Sequence, residues 1–211
     1  MSVTNIIMVG TGGQGIVLAS RIITHVAFQS GYDVKESELH GMAQRGGSVL
    51  GHIRFGKKVF SPSIPYGEAD ILVALEEMEA VRYLRFLKPS GIIILNRKKI
   101  PPAALENVKY PENIEQFLME KGFKVFPIDA EKVAKEIGNV KVENSVVIGY
   151  LSAFLDCKLD CKEEEWLEVI QNSVPPKTVE LNIKAFQEGR RLAKENAILE
   201  QGSRNFTEGT T

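Results

Sequence analysis

Cysteine is scarce in this chain: only Cys157 and Cys161 occur among 211 residues. A four-iron cluster takes about four thiolates and a structural zinc about four ligands. Two cysteines and three scattered histidines supply neither. The C-x-x-x-C spacing also differs from the redox C-x-x-C, so the pair is expected near a helix end, in a protein of the reducing cytoplasm. No apolar run approaches the roughly 20 residues that span a bilayer. The opening MSVTNIIMVG lacks the basic segment and cleavage site of a signal peptide. No membrane partner is therefore expected. Neither charge is in excess: Lys plus Arg is 26, Asp plus Glu is 27 and the net charge is -1. Nonspecific nucleic-acid binding needs a large positive field, so this balance argues against it, while leaving room for a local basic patch. Linkers rich in Gly, Ser or Pro and internal repeats are missing too, which argues for one domain over residues 1–200 followed by a disordered polar tail, 201–211.

What is present is 44% hydrophobic sequence in short, regularly spaced runs. Ile6-Ile7-Met8-Val9 reads as a buried parallel strand. A helix is predicted from Gly13 to Ser30, with Ile16, Ala19, Ile23 and Val26 on one face and Val17, Ile22 and Ala27 making it largely buried. Gly31 is its expected stop. Asp33–Leu39 reads as a strand, and Ser48–Phe55 and Lys58–Phe60 as two more joined at Gly56-Lys57, with Val49, Ile53 and Phe55 on one face. Ile71–Leu75 is a strand followed by a helix from Glu76 to Lys88. Gly91–Leu95 and Phe123–Pro127 are further strands, and Asp129 and Gly138 cap a helix between them. Beyond Asn144, a predicted cap for Ser145–Asp156, the pattern is helical: Glu163–Gln171, then Lys177–Asn196 with Val179, Ile183 and Phe186 as its core stripe. The alternation predicts an α/β fold: an open, mostly parallel, Rossmann-like sheet with helices on both faces and a helical C-terminal extension.

Gly10, Gly12, Gly13, Gln14 and Gly15 fall in a G-x-G-x-x-G turn between the first strand and helix. Glycines there permit a tight turn, close ligand approach and close helix packing, and the helix N-terminus favours an anion. Two uses stay open: binding a phosphate or nucleotide, or packing alone. A nicotinamide site also wants an acid about 20 positions on. Glu36 and Glu38 are near that spacing, but the chain then enters HGMAQRGG instead of a helix.

The segment Glu36–Arg54, ESELHGMAQRGGSVLGHIR, crowds polar side chains among four glycines. That composition suits a contact loop at the C-terminal end of a strand, where such folds bind ligands. Together, GTGGQGIVLAS and ESELHGMAQRGGSVLGHIRFG resemble the gamma-type domain of the 2-oxoacid:ferredoxin oxidoreductases, with HGMAQRGG most similar to the indolepyruvate-type members. The resemblance covers residues 4–190, including NSVVIGYLSAFL and KTVELNIKAFQEG. It implies an enzyme subunit, inactive alone. The holoenzyme would convert an aryl pyruvate to its acyl-coenzyme A, passing electrons to ferredoxin. Thiamine diphosphate, Mg and 4Fe-4S clusters would sit on a larger partner subunit and none on this chain, with coenzyme A as co-substrate. The resemblance carries no catalytic residue over to this sequence.

Glu36, Glu38, His40, Gln44, Arg45, Gly46, Gly47 and Ser48 are the candidate substrate or subunit-interface residues. His40 suits either a substrate contact or a structural hydrogen bond. Arg45 suits either a bidentate anion contact or an interface ion pair. Glu36 and Glu38 share a strand face; solvation or pairing with Arg accounts for them better than acid–base work. Glu76 and Glu77 are explained by the dipole of the helix they open. Asn96 is placed on the edge that carries the glycine turn. Two alternatives remain beside the enzyme subunit: a stand-alone dinucleotide-binding oxidoreductase and a non-catalytic scaffold.

Overall fold

A computed structural model describes residues 3–41, 46–101 and 109–207, and the side chains within them except at Cys157 and 197–207. Six strands form one sheet: β1 Thr4–Thr11, β2 Asp33–His40, β3 Ser48–Gly56, β4 Ala69–Ala74, β5 Leu87–Asn96 and β6 Lys124–Ile128. Their order is β2-β3-β1-β4-β5-β6. β1, β4, β5 and β6 pair in parallel, whereas β3 runs antiparallel to both neighbours. The fold is thus the expected α/β class with a mixed sheet.

Strand alternation sends side chains to two cores. Ile6 and Met8 pack with α1 (Ile16–Gln29), α4 (Ala130–Ile137), α5 (Glu143–Leu159), α6 (Glu163–Ser173) and α7 (Val179–Thr207). Ile7 and Val9 face α2 (Glu77–Tyr83) and α3 (Ile114–Glu120) on the other side. Helices thus cover both faces. Val49, Ile53 and Phe55 share the α1 face of β3 as their spacing predicts, and Gly31 closes α1 with φ +83°.

Several elements differ from expectation. Val17 is 41% exposed, so α1 is amphipathic. Lys58–Phe60 forms no strand: the Val59 N–H donates to the Asp33 carboxylate (2.9 Å), and Phe60 is 90% exposed. The helix from Glu76 ends at Tyr83; Leu84–Phe86 make one 3-10 turn and Leu87 already belongs to β5, because Phe86 and Leu87 bury themselves in the second core. Asn144 caps nothing and lies inside α5, which starts at Glu143 after Val142. Cys161 is a buried free thiol just past the end of α5, and burial pushes its pKa up. Helix α7 runs to Thr207, overlapping the start of the tail expected over 201–211, and 208–211 lie outside the described residues.

The buried stripe of α7 is Asn182, Ala185, Phe186, Arg190 and Ala193, with Val179 and Ile183 only half-buried. The reason is its contact with α5, where two glycines bring backbones together. A Cβ on Gly149 would lie 1.9 Å from the Phe186 carbonyl oxygen, and one on Gly189 would lie 2.0 Å from that of Val146. Gly149→Ala is therefore expected to destabilise the protein at the upper end of the roughly 1–3 kcal/mol that overpacking costs. Urea unfolding reads this as a lower midpoint at constant slope; an unmoved midpoint would mean the two helices are not in backbone contact.

Candidate functional site: a crevice at the C-terminal edge of the sheet

The parallel strands all end at one edge, where the glycine turn, Gly46 and Gly47, the segment after β5 and the start of α5 meet. Thr11, Gly12, Gly13, Gln14, Gly46, Lys98, Ile100, Val140, Lys141, Glu143 and Asn144 line a crevice of about 390 Å³ there. Its floor is a hydrogen-bonded tie between strand ends. The Leu75 N–H donates to the Val9 carbonyl (2.8 Å), while the Leu75 carbonyl accepts from Gln14 Nε2 (2.9 Å) and Asn96 Nδ2 (3.2 Å). Asn96 is 1% exposed, and its Oδ1 accepts from the Ala130 N–H (3.1 Å) at the start of α4. Asn96 Nδ2 also donates to Glu143 (2.7 Å). The expected placement of Asn96 on this edge holds, though it lies beneath the crevice lining.

Lys98 and Lys141 are the cations of the crevice lining; among the described residues, Lys98 is the one with carboxylate partners. Its Nζ stands 2.7 Å from Glu143 and 2.9 Å from Glu131. Burial works against its charge, but these two carboxylates outweigh it and hold the ammonium above its usual range. Glu131, at the surface, is held at about 2 by hydrogen bonds from Lys135 and Lys98. Neighbouring residues of the 97–100 segment diverge: Arg97 and Lys99 line a separate depression with Glu77 and Glu115. There Arg97 clasps Glu115 with two hydrogen bonds (2.8 and 3.0 Å). Desolvation raises the pKa of Glu77 despite Lys99 nearby at 3.9 Å. Glu76, 1% exposed, caps α2 by accepting from the Glu79 N–H (3.0 Å), the Ile100 N–H (3.2 Å) and the Tyr110 hydroxyl. Its role is the helix-start one expected, with anchoring of the 98–100 segment added.

The glycine turn differs from a dinucleotide fingerprint in two ways. β3 is inserted between β1 and β2, so Glu36 and Glu38 lie two strands, about 10 Å, from β1; Glu38 pairs with Gly51, which pairs with Met8. An acid reaching the ribose of a nucleotide on the first turn belongs beside that strand. The glycines, moreover, are packed by the chain itself. A Cβ on Gly10 would lie 2.7 Å from Gln14 Oε1, and one on Gly15 would lie 2.5 Å from Asn144 Nδ2. Gly13, with φ +99°, is open.

The remaining candidates are dispersed. Glu36 accepts from Thr24 of α1 (3.2 Å), and Glu38 lies 3.6 Å from His40, whose side chain is 57% exposed. Neither acid faces the crevice. Gly47 accepts from the Gly12 N–H (2.8 Å), which ties the residue before β3 to the glycine turn. Ser48 donates to Glu79 and shares a 2.8 Å bond with the Tyr83 hydroxyl, anchoring the loop to α2. Gln44 and Arg45 lie outside the described residues. Sequence reasoning did not find Lys98, Lys141 or Glu143. The signals were the basic run Arg97-Lys98-Lys99 directly behind a buried strand and the Glu143-Asn144 pair opening a helix.

Fold and edge together define an open α/β domain of dinucleotide-fold plan with its glycine turn filled from within. A family model described as pyruvate ferredoxin/flavodoxin oxidoreductase matches residues 5–192, and the chain belongs to that family. It is 41% identical over 196 residues to the indolepyruvate oxidoreductase subunit IorB of Thermococcus kodakarensis, covering 90% of this chain and 96% of the relative. The 2-oxoglutarate synthase subunit KorC of Methanothermobacter marburgensis is 32% identical, covering 88% and 94%. Among solved structures, the gamma subunit of a keto/oxoacid ferredoxin oxidoreductase from Geobacter sulfurreducens matches at 25% identity and TM-score 0.66, covering 91% of this chain and 99% of that one. The fold also recurs in 2-oxoglutarate:ferredoxin oxidoreductase from Magnetococcus marinus, a structure with 2-oxoglutarate, coenzyme A and succinyl-CoA bound. The TM-score is 0.73 at 21% identity, over 92% of this chain and 32% of that longer one. No helix among the described residues is long and apolar enough to cross a membrane.

The Lys98 network predicts a pH dependence. The folded pKa of Glu131, about 2, lies below its usual 4.5. Its stabilising contribution is therefore present above about 4.5 and lost as pH falls from there toward about 2. Glu131→Gln is expected to lower stability at neutral pH and flatten the acid limb across that window. Urea midpoints measured through it check this; parallel wild-type and variant limbs would refute it. Asn96→Ala strips partners from the Leu75 carbonyl, the Ala130 N–H and Glu143, and is expected to cost about 3 kcal/mol in the same assay.

Proposed function

We propose that the chain is the small subunit of a thiamine-dependent indolepyruvate, or aryl pyruvate, ferredoxin oxidoreductase. The observation that carries the reading is the 41% identity to an indolepyruvate oxidoreductase subunit, IorB, along 96% of its length. The holoenzyme oxidatively decarboxylates the 2-oxoacid to its acyl-coenzyme A, delivers electrons to ferredoxin and works in the cytoplasm. Thiamine diphosphate, Mg and the 4Fe-4S clusters belong to the larger partner. Among the described residues no three His, Cys, Asp or Glu side chains converge on a point that would hold a metal ion, and the chain has two cysteines in all. No catalytic step is assigned to residues of this chain.

Its part is to build one wall of the active-site region. The 41–47 loop, tied at Gly47 and Ser48 and bordered by the crevice at Gly46, faces the larger subunit in this reading. Arg45, with Lys141 of the crevice lining, supplies cations for an anionic substrate group: a 2-oxoacid carboxylate or a coenzyme A phosphate. The β3 insertion and the self-packed glycine turn speak against the stand-alone dinucleotide enzyme.

The isolated chain is expected to show no turnover. Mixed with the larger subunit, it is expected to support viologen reduction by an aryl pyruvate that depends on coenzyme A. A purified pair inactive with every 2-oxoacid tested would end the reading. Arg45→Ala separates it from a scaffold role. The expected result is about a tenfold weaker response to 2-oxoacid or coenzyme A, about 1.4 kcal/mol, in a complex that still assembles. Weakened assembly with unchanged saturation would favour the scaffold.

A further inference from the structure

We infer that the depression beside the crevice, built on Glu77, Lys99 and Arg97, is a binding site for a free α-amino acid with an apolar side chain. The inference rests on this chain's own residues and does not depend on the identity of the holoenzyme.

Glu77 is the residue that the fold leaves unsatisfied. It lines the depression, about 350 Å³ in volume, on the far side of the 97–100 segment from Lys98. Its side chain is only 9% exposed, yet its one ion-pair partner among the described residues is the Lys99 ammonium at 3.9 Å, beyond hydrogen-bond reach. Glu76 already caps α2, so the helix start does not need a second carboxylate. Burial pushes the Glu77 pKa up. A carboxylate that has lost water without gaining a donor is held at a cost, and a bound donor would relieve it.

The charges left over in the depression are of both signs. Arg97 uses Nε and Nη2 on Glu115, which leaves Nη1 unbonded among the described residues. Lys99 is half-exposed, and its Nζ stands 5.8 Å from the centre of the Tyr110 ring. A lone cation drawn to Glu77 would meet Lys99 and Arg97, and a lone anion drawn to those two would meet Glu77 and Glu115. Repulsion then offsets the attraction, because the distances are similar. A zwitterion meets neither penalty: its ammonium donates to Glu77 while its carboxylate accepts from Lys99 and Arg97 Nη1. A free α-amino acid carries both charges on one carbon, which suits opposite charges as close as Glu77 and Lys99, whereas a polypeptide terminus carries one. Ile114 and Met119 of α3 also line the depression and give the side chain an apolar wall, with the flexible Met119 free to adjust to its shape.

The test is thermal unfolding of the full chain, wild type and Glu77→Gln, at neutral pH and matched ionic strength, with about 10 mM of each probe. The probes are L-phenylalanine, 3-phenylpropanoate, which lacks the ammonium, and 2-phenylethylamine, which lacks the carboxylate. The quantity read is the rise in midpoint of wild type minus that of Glu77→Gln, so that a carboxylate bound in the neighbouring crevice cancels. L-phenylalanine is expected to give a difference of about 3 °C, the response of a site at about ten times its Kd. The two single-charge probes are expected to give none. No difference with L-phenylalanine, or an equal difference with either single-charge probe, overturns the inference. If Glu77→Gln does not fold, Lys99→Gln takes its place under the same criterion.

Discussion

β3 runs antiparallel in the slot that a nucleotide-binding α/β fold gives to its second parallel strand, and much of the functional edge follows from that. With β3 beside β1, the chain returns directly over the glycine turn, so the Gly12 N–H meets the Gly47 carbonyl. Gly47 and Ser48, where the chain enters β3, are thereby held at the crevice. The same insertion pushes β2 to the sheet edge, and Glu36 and Glu38 go with it, toward α1 and His40. One change of strand direction both removes the acid a dinucleotide would need and brings the Gly47 carbonyl onto the glycine turn.

The second constraint is polar satisfaction at strand ends. Where parallel strands stop, their last N–H and C=O groups lose ladder partners, and an unpaired buried group costs about 1–3 kcal/mol. Two carboxamides, Gln14 and Asn96, converge on the Leu75 carbonyl, and Asn96 extends the tie to α4 and α5. Glu143 then passes the connection to Lys98, whose charge is balanced within the crevice wall. The network resists local opening because each member has two or more partners.

Much of this was legible in the sequence, for identifiable reasons. Buried parallel strands read clearly because Ile6–Val9, Ile71–Leu75 and Gly91–Leu95 are apolar on both faces. Asp129 and Gly138 were legible as caps because a side-chain acceptor and a left-handed glycine are local chemistry; both hold, with the Lys132 N–H on Asp129 and φ +105° at Gly138. The two motifs around Gly10–Gly15 and His40–Ser48 sufficed for the family. Strand order was not legible, since nothing local in Ser48–Phe55 says that it runs antiparallel beside β1. The role of Asn144 was misread for the same reason. An Asn before an apolar run looks like a cap, and only tertiary folding brings it against a carbonyl 130 residues earlier. The stripe of α7 was shifted because it is set by backbone contact at Gly149 and Gly189, residues that carry no hydropathy signal.

That last point bears on what kind of subunit this is. The α5–α7 contact places glycine at the crossing and surrounds it with polar pairs: Ser145 with Asn182, and Arg190 with Ser152, Asp156 and Glu163. Arg190 is 7% exposed, and a buried guanidinium needs such partners in fixed positions. Helix α7 is therefore registered against α5 and α6 by directional bonds as well as by apolar packing. Because α5 begins with Glu143 and Asn144, that register also sets where the crevice wall stands. The glycine turn, Gly47 and the helical extension are thus positioned as one body.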